Sequence, residues 1–253
     1  VKGITLIEER ENWGFAEGFD YKYAFNSFGE GLFKTYYTHQ RERDRNETIK
    51  AEEERFRTQL RHRWNASDKV SALLEYHKLS DSEFTKDYFY REEYDREASP
   101  ESYFYVLDAE PEYSLSFLTR KQVNRFQSVV ERLPEVRYDL KEQNLFNLPV
   151  YFKTDSFLST LREKTGNSAE DNDVIRWHND NKLSAPFRVA KFLSFSPFAG
   201  FRDTYYTKDI NGDEDKYRTL FYTGVDMGTK FFKTYDAQGA FLGVDYNKLH
   251  HII

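Results

Sequence analysis

The chain has 253 residues with 37 Lys+Arg against 43 Asp+Glu, a formal net charge of −6, and no Cys. Disulfide staples, thiolate metal sites and Cys nucleophiles are excluded, and the acidic balance argues against nucleic acid as a partner. No apolar run approaches the roughly 18 residues of a spanning helix, which excludes a helical membrane protein, and an aromatic share of 18% argues against disorder.

The opening residues, VKGITLIEERENW, show no basic region ahead of an apolar stretch, so no signal peptide is read. The chain is then either not exported or an internal piece of an exported protein. From Trp13 the odd positions read Trp13, Phe15, Glu17, Phe19, Tyr21, Tyr23 and Phe25, and the even ones Gly14, Ala16, Gly18, Asp20, Lys22, Ala24 and Asn26. Period two puts these on two faces of a strand, one mostly aromatic and one small or polar. The run exceeds the usual strand of about 5–6 residues and reaches the 9–11 or so that cross a bilayer at a tilt.

The alternation recurs along the chain. Ser27 to Gly31 reads as a turn and Leu32 to His39 as the returning strand. Arg41 to Glu54 reads as a helix, or as two strands extending past a membrane rim. From Arg55 one face carries Arg55, Arg57, Gln59, Arg61 and Arg63, and the other Phe56, Thr58, Leu60, His62 and Trp64. Asn65 to Lys69 is a turn, Val70 to Leu79 a strand, and Ser80 to Glu101 an acidic and aromatic segment with room for a helical turn. Tyr113 to Arg120, Tyr151 to Leu161, Phe192 to Tyr206, Tyr217 to Gly228 and Phe241 to His250 read as further strands. Glu163 to Asp173 and Lys208 to Lys216 read as loops. About a dozen strands joined mostly by short turns describe an antiparallel meander in one domain, residues 1 to 253.

Two physical readings of these strands compete. In a soluble sandwich or barrel the aromatic faces meet in a core. In a membrane barrel they meet lipid, and the polar faces line a wet lumen. Strand length, and aromatics near strand ends where girdles sit, favour the membrane barrel.

Side chains with chemical potential read mostly as structural. His39, His62, His77, His178, His250 and His251 show neither zincin spacing nor a nucleophile-elbow context. Asp209, Asn211 and Asp213 have a calcium-loop spacing, but the glycine, Gly212, comes two residues too early and Leu220 stands where the loop needs Glu, so an Asn-Gly hairpin tip fits better. The carboxylates Glu52, Glu53, Glu54, Glu92, Glu93, Asp171 and Asp173 read as solvated loop charge rather than a glycosidase pair. The stripe Arg55, Arg57, Arg61 and Arg63 suits an anion facing the lumen. Its plainer reading is pairing across strands with Glu42, Asp44, Glu52, Glu53 and Glu54.

The segment Arg55 to Phe89 (RFRTQLRHRWNASDKVSALLEYHKLSDSEFTKDYF) resembles the barrel of the lipopolysaccharide-assembly family LptD, the organic solvent tolerance proteins. Its S-D-x-x-F element is Ser80, Asp81 and Phe84, followed by Asp87, Tyr88 and Phe89. An R-x-P-E element follows as Arg132, Leu133, Pro134 and Glu135, after Glu131, and then Asn147 to Tyr151 (NLPVY). Pro186, Phe187, Pro197, Gly200, Thr204, Tyr205 and Tyr206 match the family's paired strands, and Leu249-His250 its later strand. These short motifs, in order, run from Arg55 to Ile253.

The resemblance implies an all-β antiparallel transmembrane β-barrel, of which this chain is an incomplete, internal part. It implies a bacterial outer-membrane translocon that inserts lipopolysaccharide into the outer leaflet, with a plug lipoprotein of the LptE type inside and outer-membrane lipid around it. No catalytic residue, metal or cofactor comes with it. The chain lacks the family's periplasmic domain, its closing strands and its Cys residues. The alternatives are a porin-like or hydrolase outer-membrane barrel, or a soluble aromatic-rich β protein that binds carbohydrate by stacking.

Overall fold

The computed structural model describes every residue except 11–13, 44–48, 98, 167–170, 190–191, 209–211, 230–231, 242–243 and 253. Trp13, and Asp209 and Asn211 of the calcium-like loop, therefore lie outside the described residues.

Fifteen strands are described: β1 (Lys2–Arg10), β2 (Gly14–Phe25), β3 (Gly29–Arg43), β4 (Ile49–Asn65), β5 (Val70–Leu79), β6 (Tyr103–Ala109), β7 (Tyr113–Arg120), β8 (Val129–Asn144), β9 (Tyr151–Lys164), β10 (Asp171–Ser184), β11 (Phe187–Val189), β12 (Leu193–Lys208), β13 (Glu214–Thr229), β14 (Phe232–Phe241) and β15 (Val244–Ile252). A short helix α1 (Phe84–Tyr88) and a π-helical turn (Tyr90–Tyr94) follow β5. The strands β1 to β13 form one antiparallel sheet in chain order, and β14 and β15 pair with each other. The sheet is open: no ladder joins its first strand to its last among the described residues.

Arg41 to Glu54 takes the strand form where it is described. Arg41 stands opposite Glu52 and Gln40 opposite Glu53 in the β3–β4 ladder. Six strands have no counterpart in the alternation pattern: β1, β6, β8, β10, β11 and β14. β6 and β11 are short, 7 and 3 residues. β8 carries Pro134 where its register shifts against both neighbours, between Arg132 and Glu135 on the β9 side. β10 (DNDVIRWHNDNKLS) carries polar residues on both faces, with Asn179 and Asn181 among Ile175, Trp177 and Leu183 on the apolar one. Asp171 to Asp173 therefore belong to a strand, and so do residues 163 and 164 at the end of β9. Phe241 ends β14, and β15 begins only at Val244.

β10 and β11 lie end to end against the same side of β12, interrupted at Ala185 and Pro186. There the Ala185 amide donates to the Pro197 carbonyl at 2.9 Å. Pro186 falls in the gap, where its missing N–H leaves no ladder bond unmade.

Following the ladders separates the two faces. One row runs Trp64, Ala72, Val106, Phe117, Val136, Leu158, Trp177, Tyr205, Tyr217 across nine strands. The next row, on the other face, runs Asn65, Ser71, Leu107, Ser116, Arg137, Phe157, His178, Thr204, Arg218. Phe15, Phe19, Phe56, Phe104, Leu115, Phe201, Phe221 and Met227 share the face of the first row, and all are exposed. The buried apolar cluster lies on the opposite, polar face: Ala16, Tyr36 and Leu79 from the sheet, with Phe84 and Tyr88 from α1 laid over them. The accessible surface of 18005 Å² compares with about 12,000 Å² for a compact monomer of this mass. The excess agrees with a sheet covered in one place only.

The apolar face carries a polar row, Ser156, Asn179, Asp203 and Thr219. Its members bond to each other. Ser156 Oγ donates to Asn179 Oδ1 at 2.7 Å, and Thr219 Oγ1 to Asp203 Oδ1 at 2.7 Å.

Candidate functional site

The arginine stripe and the S-D-x-x-F element form one site. On β4, alternate residues put Arg55, Arg57, Arg61 and Arg63 on the polar face, about 6.8 Å apart along the strand at each second residue. The chain then turns at the end of β5 and carries residues 80 to 97 back across that face. Arg55 is 5% exposed and Arg57 4%. Burying an ion without a partner costs several kcal/mol, so each must be neutralised locally.

Arg55 holds Asp81 in a two-pronged pair, Nε to Oδ2 at 2.9 Å and Nη2 to Oδ1 at 2.7 Å, and its Nη1 reaches Asp87 at 2.9 Å. Arg57 pairs with Glu93, which also takes Lys34 at 3.2 Å, and its guanidinium lies 3.7 Å from the centroid of Phe89. Arg61 pairs with Glu75 at 2.9 Å and reaches Glu97 at 3.7 Å. Arg63 is exposed, opposite Glu30 in the ladder, and makes no ion pair among the described residues. The counter-charges described for Arg55 and Arg57 come from the returning segment: Asp81, Asp87 and Glu93.

Asp81 also orders the turn. Its Oδ1 accepts the Glu83 amide at 3.0 Å and its Oδ2 accepts Ser80 Oγ at 2.6 Å. Burial alone would raise its carboxyl. The hydrogen bonds from Arg55 and Ser80, the Arg55 charge and the Glu83 amide outweigh that and hold it below the usual aspartate value. Phe84, fully buried, packs against Tyr36, Tyr88 and Phe89 at centroid distances of 6.1, 5.0 and 6.1 Å. The guanidinium of Arg55 lies 5.7 Å from its ring.

Asn124 and Ser102 complete the site, and no sequence pattern marks them. β6 begins opposite Glu75, leaving the last residues of β5, paired with β4 on one side, without a neighbouring strand on the other. The Asn124 carboxamide replaces one: Oδ1 accepts the Leu79 amide at 2.9 Å and Nδ2 donates to the His77 carbonyl at 3.0 Å. Ser102 Oγ accepts the His77 amide at 2.9 Å. A side-chain amide has a backbone peptide's donor and acceptor.

The other predicted residues lie apart. Glu131 is 1% exposed and accepts the Gln122 amide at 2.8 Å, tying the 121–128 loop to β8. Arg132 pairs with Glu135 at 3.0 Å across the Pro134 bulge. His250 lies on β15 opposite Thr234, away from the arginine stripe in sequence and in ladder.

A second charged area spans β8 to β13. Arg137 pairs with Asp155, and Arg202 Nε donates to Asp180 at 2.9 Å. Tyr222 donates its hydroxyl proton to the other oxygen of Asp180 at 2.6 Å. His178 Nδ1 and Thr204 Oγ1 are 3.0 Å apart. Arg137, Asp155, His178, Asp180 and Tyr222 line a cavity of ≈ 340 Å³. Among the described residues no three His, Asp or Glu side chains gather as a metal site.

No family model matches the chain, and no curated protein shows significant similarity to it.

Proposed function

We propose that the chain is part of an outer-membrane β-barrel whose aromatic face meets lipid and whose charged face lines a wet interior. One observation carries this reading: most exposed large apolar side chains of the strands share one face, with Ile4 and Leu220 among the exceptions, while the buried cluster lies on the polar face. A soluble antiparallel sheet does the reverse, packing its apolar face on a core. Strands of 14 to 17 residues, as in β3, β4, β8, β9, β10, β12 and β13, exceed what a tilted crossing needs.

Within that class we favour a lipopolysaccharide translocon like the LptD family, with an LptE-type lipoprotein in its interior. The ordered motifs from Ser80 to His250 support it. So does the link between two of them and the fold: Asp81 and Phe84 anchor the segment laid across the polar face.

Trp64 and Trp177, both in the apolar row, report on the membrane half. In liposomes carrying quenchers at known depths, both are expected to be strongly quenched. A folded, soluble chain with unquenched Trp overturns the barrel and favours the carbohydrate-binding alternative. The transport half is tested at the exposed end of the stripe. Replacing Arg61 and Arg63 with Glu in cells that carry the protein should impair lipopolysaccharide export. Normal export sinks that half and leaves the membrane half standing.

A further inference from the structure

We propose that Lys153 and Lys182 form a binding site for a phosphate monoester on the polar face. The two residues are direct partners in the β9–β10 ladder. Directly opposed side chains have their Cβ atoms about 4.5–5.5 Å apart, and like charges there are destabilising. The adjacent row puts Asp155 opposite Asp180, so each lysine has a diagonal carboxylate that could compensate it. Those carboxylates are already used. Asp155 is taken by Arg137, and Asp180 by Arg202 and the Tyr222 hydroxyl.

What remains for the lysines is little. Lys182 lies 4.1 Å from the centroid of Phe198 and 3.8 Å from Asp226, whose side chain is 70% exposed. Lys153 and its exposed neighbour across the β8 bulge, Glu142, make no ion pair among the described residues. Both lysines line a cavity of ≈ 340 Å³, and the one carboxylate near either of them among the described ion pairs is the exposed Asp226.

The charge count selects the ligand. A phosphate monoester carries about −1.5 to −2 at neutral pH, which two lysines match and a single carboxylate does not. The arginine forks are spent on planar carboxylates, as their geometry suits. Lysines act as point charges that can approach a tetrahedral oxyanion from two sides. The site stands on the polar face alone and does not depend on whether lipid covers the other.

The test uses the full chain in neutral detergent micelles. Amine acylation at Lys153 and Lys182 is read by peptide mass spectrometry, with Lys22 as an unrelated control. With inorganic phosphate or glucose 6-phosphate well above its Kd, both lysines should react about tenfold more slowly, Lys22 should not change, and glucose should have no effect. Micelles doped with phosphatidic acid separate a lipid-borne phosphate from a soluble one: protection there alone assigns the site to a headgroup. A second reading is the variant Lys153→Glu. It replaces opposed like charges by opposite ones in the ladder, so it should unfold at higher denaturant than the parent and lose any stabilisation by phosphate. No protection by any of the three phosphates, or phosphate stabilisation unchanged in Lys153→Glu, overturns the proposal.

Discussion

The guanidinium of Arg55 and the carboxylate of Asp81 meet through two hydrogen bonds, 2.9 and 2.7 Å, across 26 residues of chain. The pair joins the middle of β4 to the turn that leaves β5. It fixes where α1 starts and so carries Phe84 into its pocket beside Tyr36. The polar face is made self-sufficient here, because the segment that buries the cations also supplies their counter-charges.

Replacing Arg55 with Met leaves Asp81 without its two-pronged partner and removes the contact with Asp87. Asp81 keeps 31% side-chain exposure, so water relieves part of the loss, and the expected cost is about 1–3 kcal/mol. Adding Asp81→Leu should recover part of it, because an apolar pair can replace a buried ion pair. Denaturant unfolding of the two single variants and the double variant measures the coupling. Strict additivity would show that the pair contributes nothing.

Much of this architecture was legible from alternation. The turn at residues 65 to 69 and the strands Val70–Leu79 and Tyr113–Arg120 stand where period two puts them. Alternation works when one face is apolar and the other is not. It fails for β10, whose Asn179 and Asn181 occupy the apolar face, and for β8, where Pro134 breaks the period. Arg55 was visible as a cation on the polar face, but neither its burial nor its partners were. They lie on a non-periodic segment whose path back over the sheet is a tertiary fact. Asn124 and Ser102 carried no signal, since a carboxamide filling in for a missing strand looks like any loop residue.

Acid should release the segment over residues 80 to 94. The carboxyl of Asp81 is held below its ordinary value in the folded chain. Its contribution is therefore fully present above the unfolded value of about 3.9 and is lost as pH falls through the lower, folded value. Amide exchange in α1 is expected to be the same at pH 7 and pH 5, and to accelerate below about pH 4 once corrected for intrinsic rates. The Asp81→Asn variant should already exchange quickly at pH 7. Release that begins at pH 6 in the parent would rule out Asp81 as the titrating group.

Two glycines on the same face of the sheet should respond oppositely to alanine. A Cβ on Gly31 would stand 2.3 Å from the Tyr23 ring and 2.7 Å from the Arg61 carbonyl. The Tyr23 ring lies across the glycine and reaches His62 Nδ1 at 2.8 Å. Gly31→Ala must displace that ring against backbone that cannot yield, at about 1–3 kcal/mol. At Gly3 the nearest atom is 3.7 Å away, an ordinary contact. Gly3→Ala should be neutral or stabilise by up to about 1 kcal/mol, since glycine in a strand gives up more chain entropy. Unfolding midpoints of the two variants decide it.

The sharpest contrast lies between adjacent rows. Leu158 sits in the apolar row and is 51% exposed, while Arg218 sits in the polar row and is exposed. In water, a surface change at either position is worth no more than about ±0.5 kcal/mol. In a bilayer, a Lys on the lipid face of a barrel costs about 2–4 kcal/mol near the midplane and almost nothing on the lumen face. Leu158→Lys should therefore lower stability in liposomes by that amount, and Arg218→Gln should leave it unchanged. Equal, small effects for both would mean that the row Trp64 to Tyr217 faces water. The asymmetry between the rows would then need a protein partner rather than lipid to explain it.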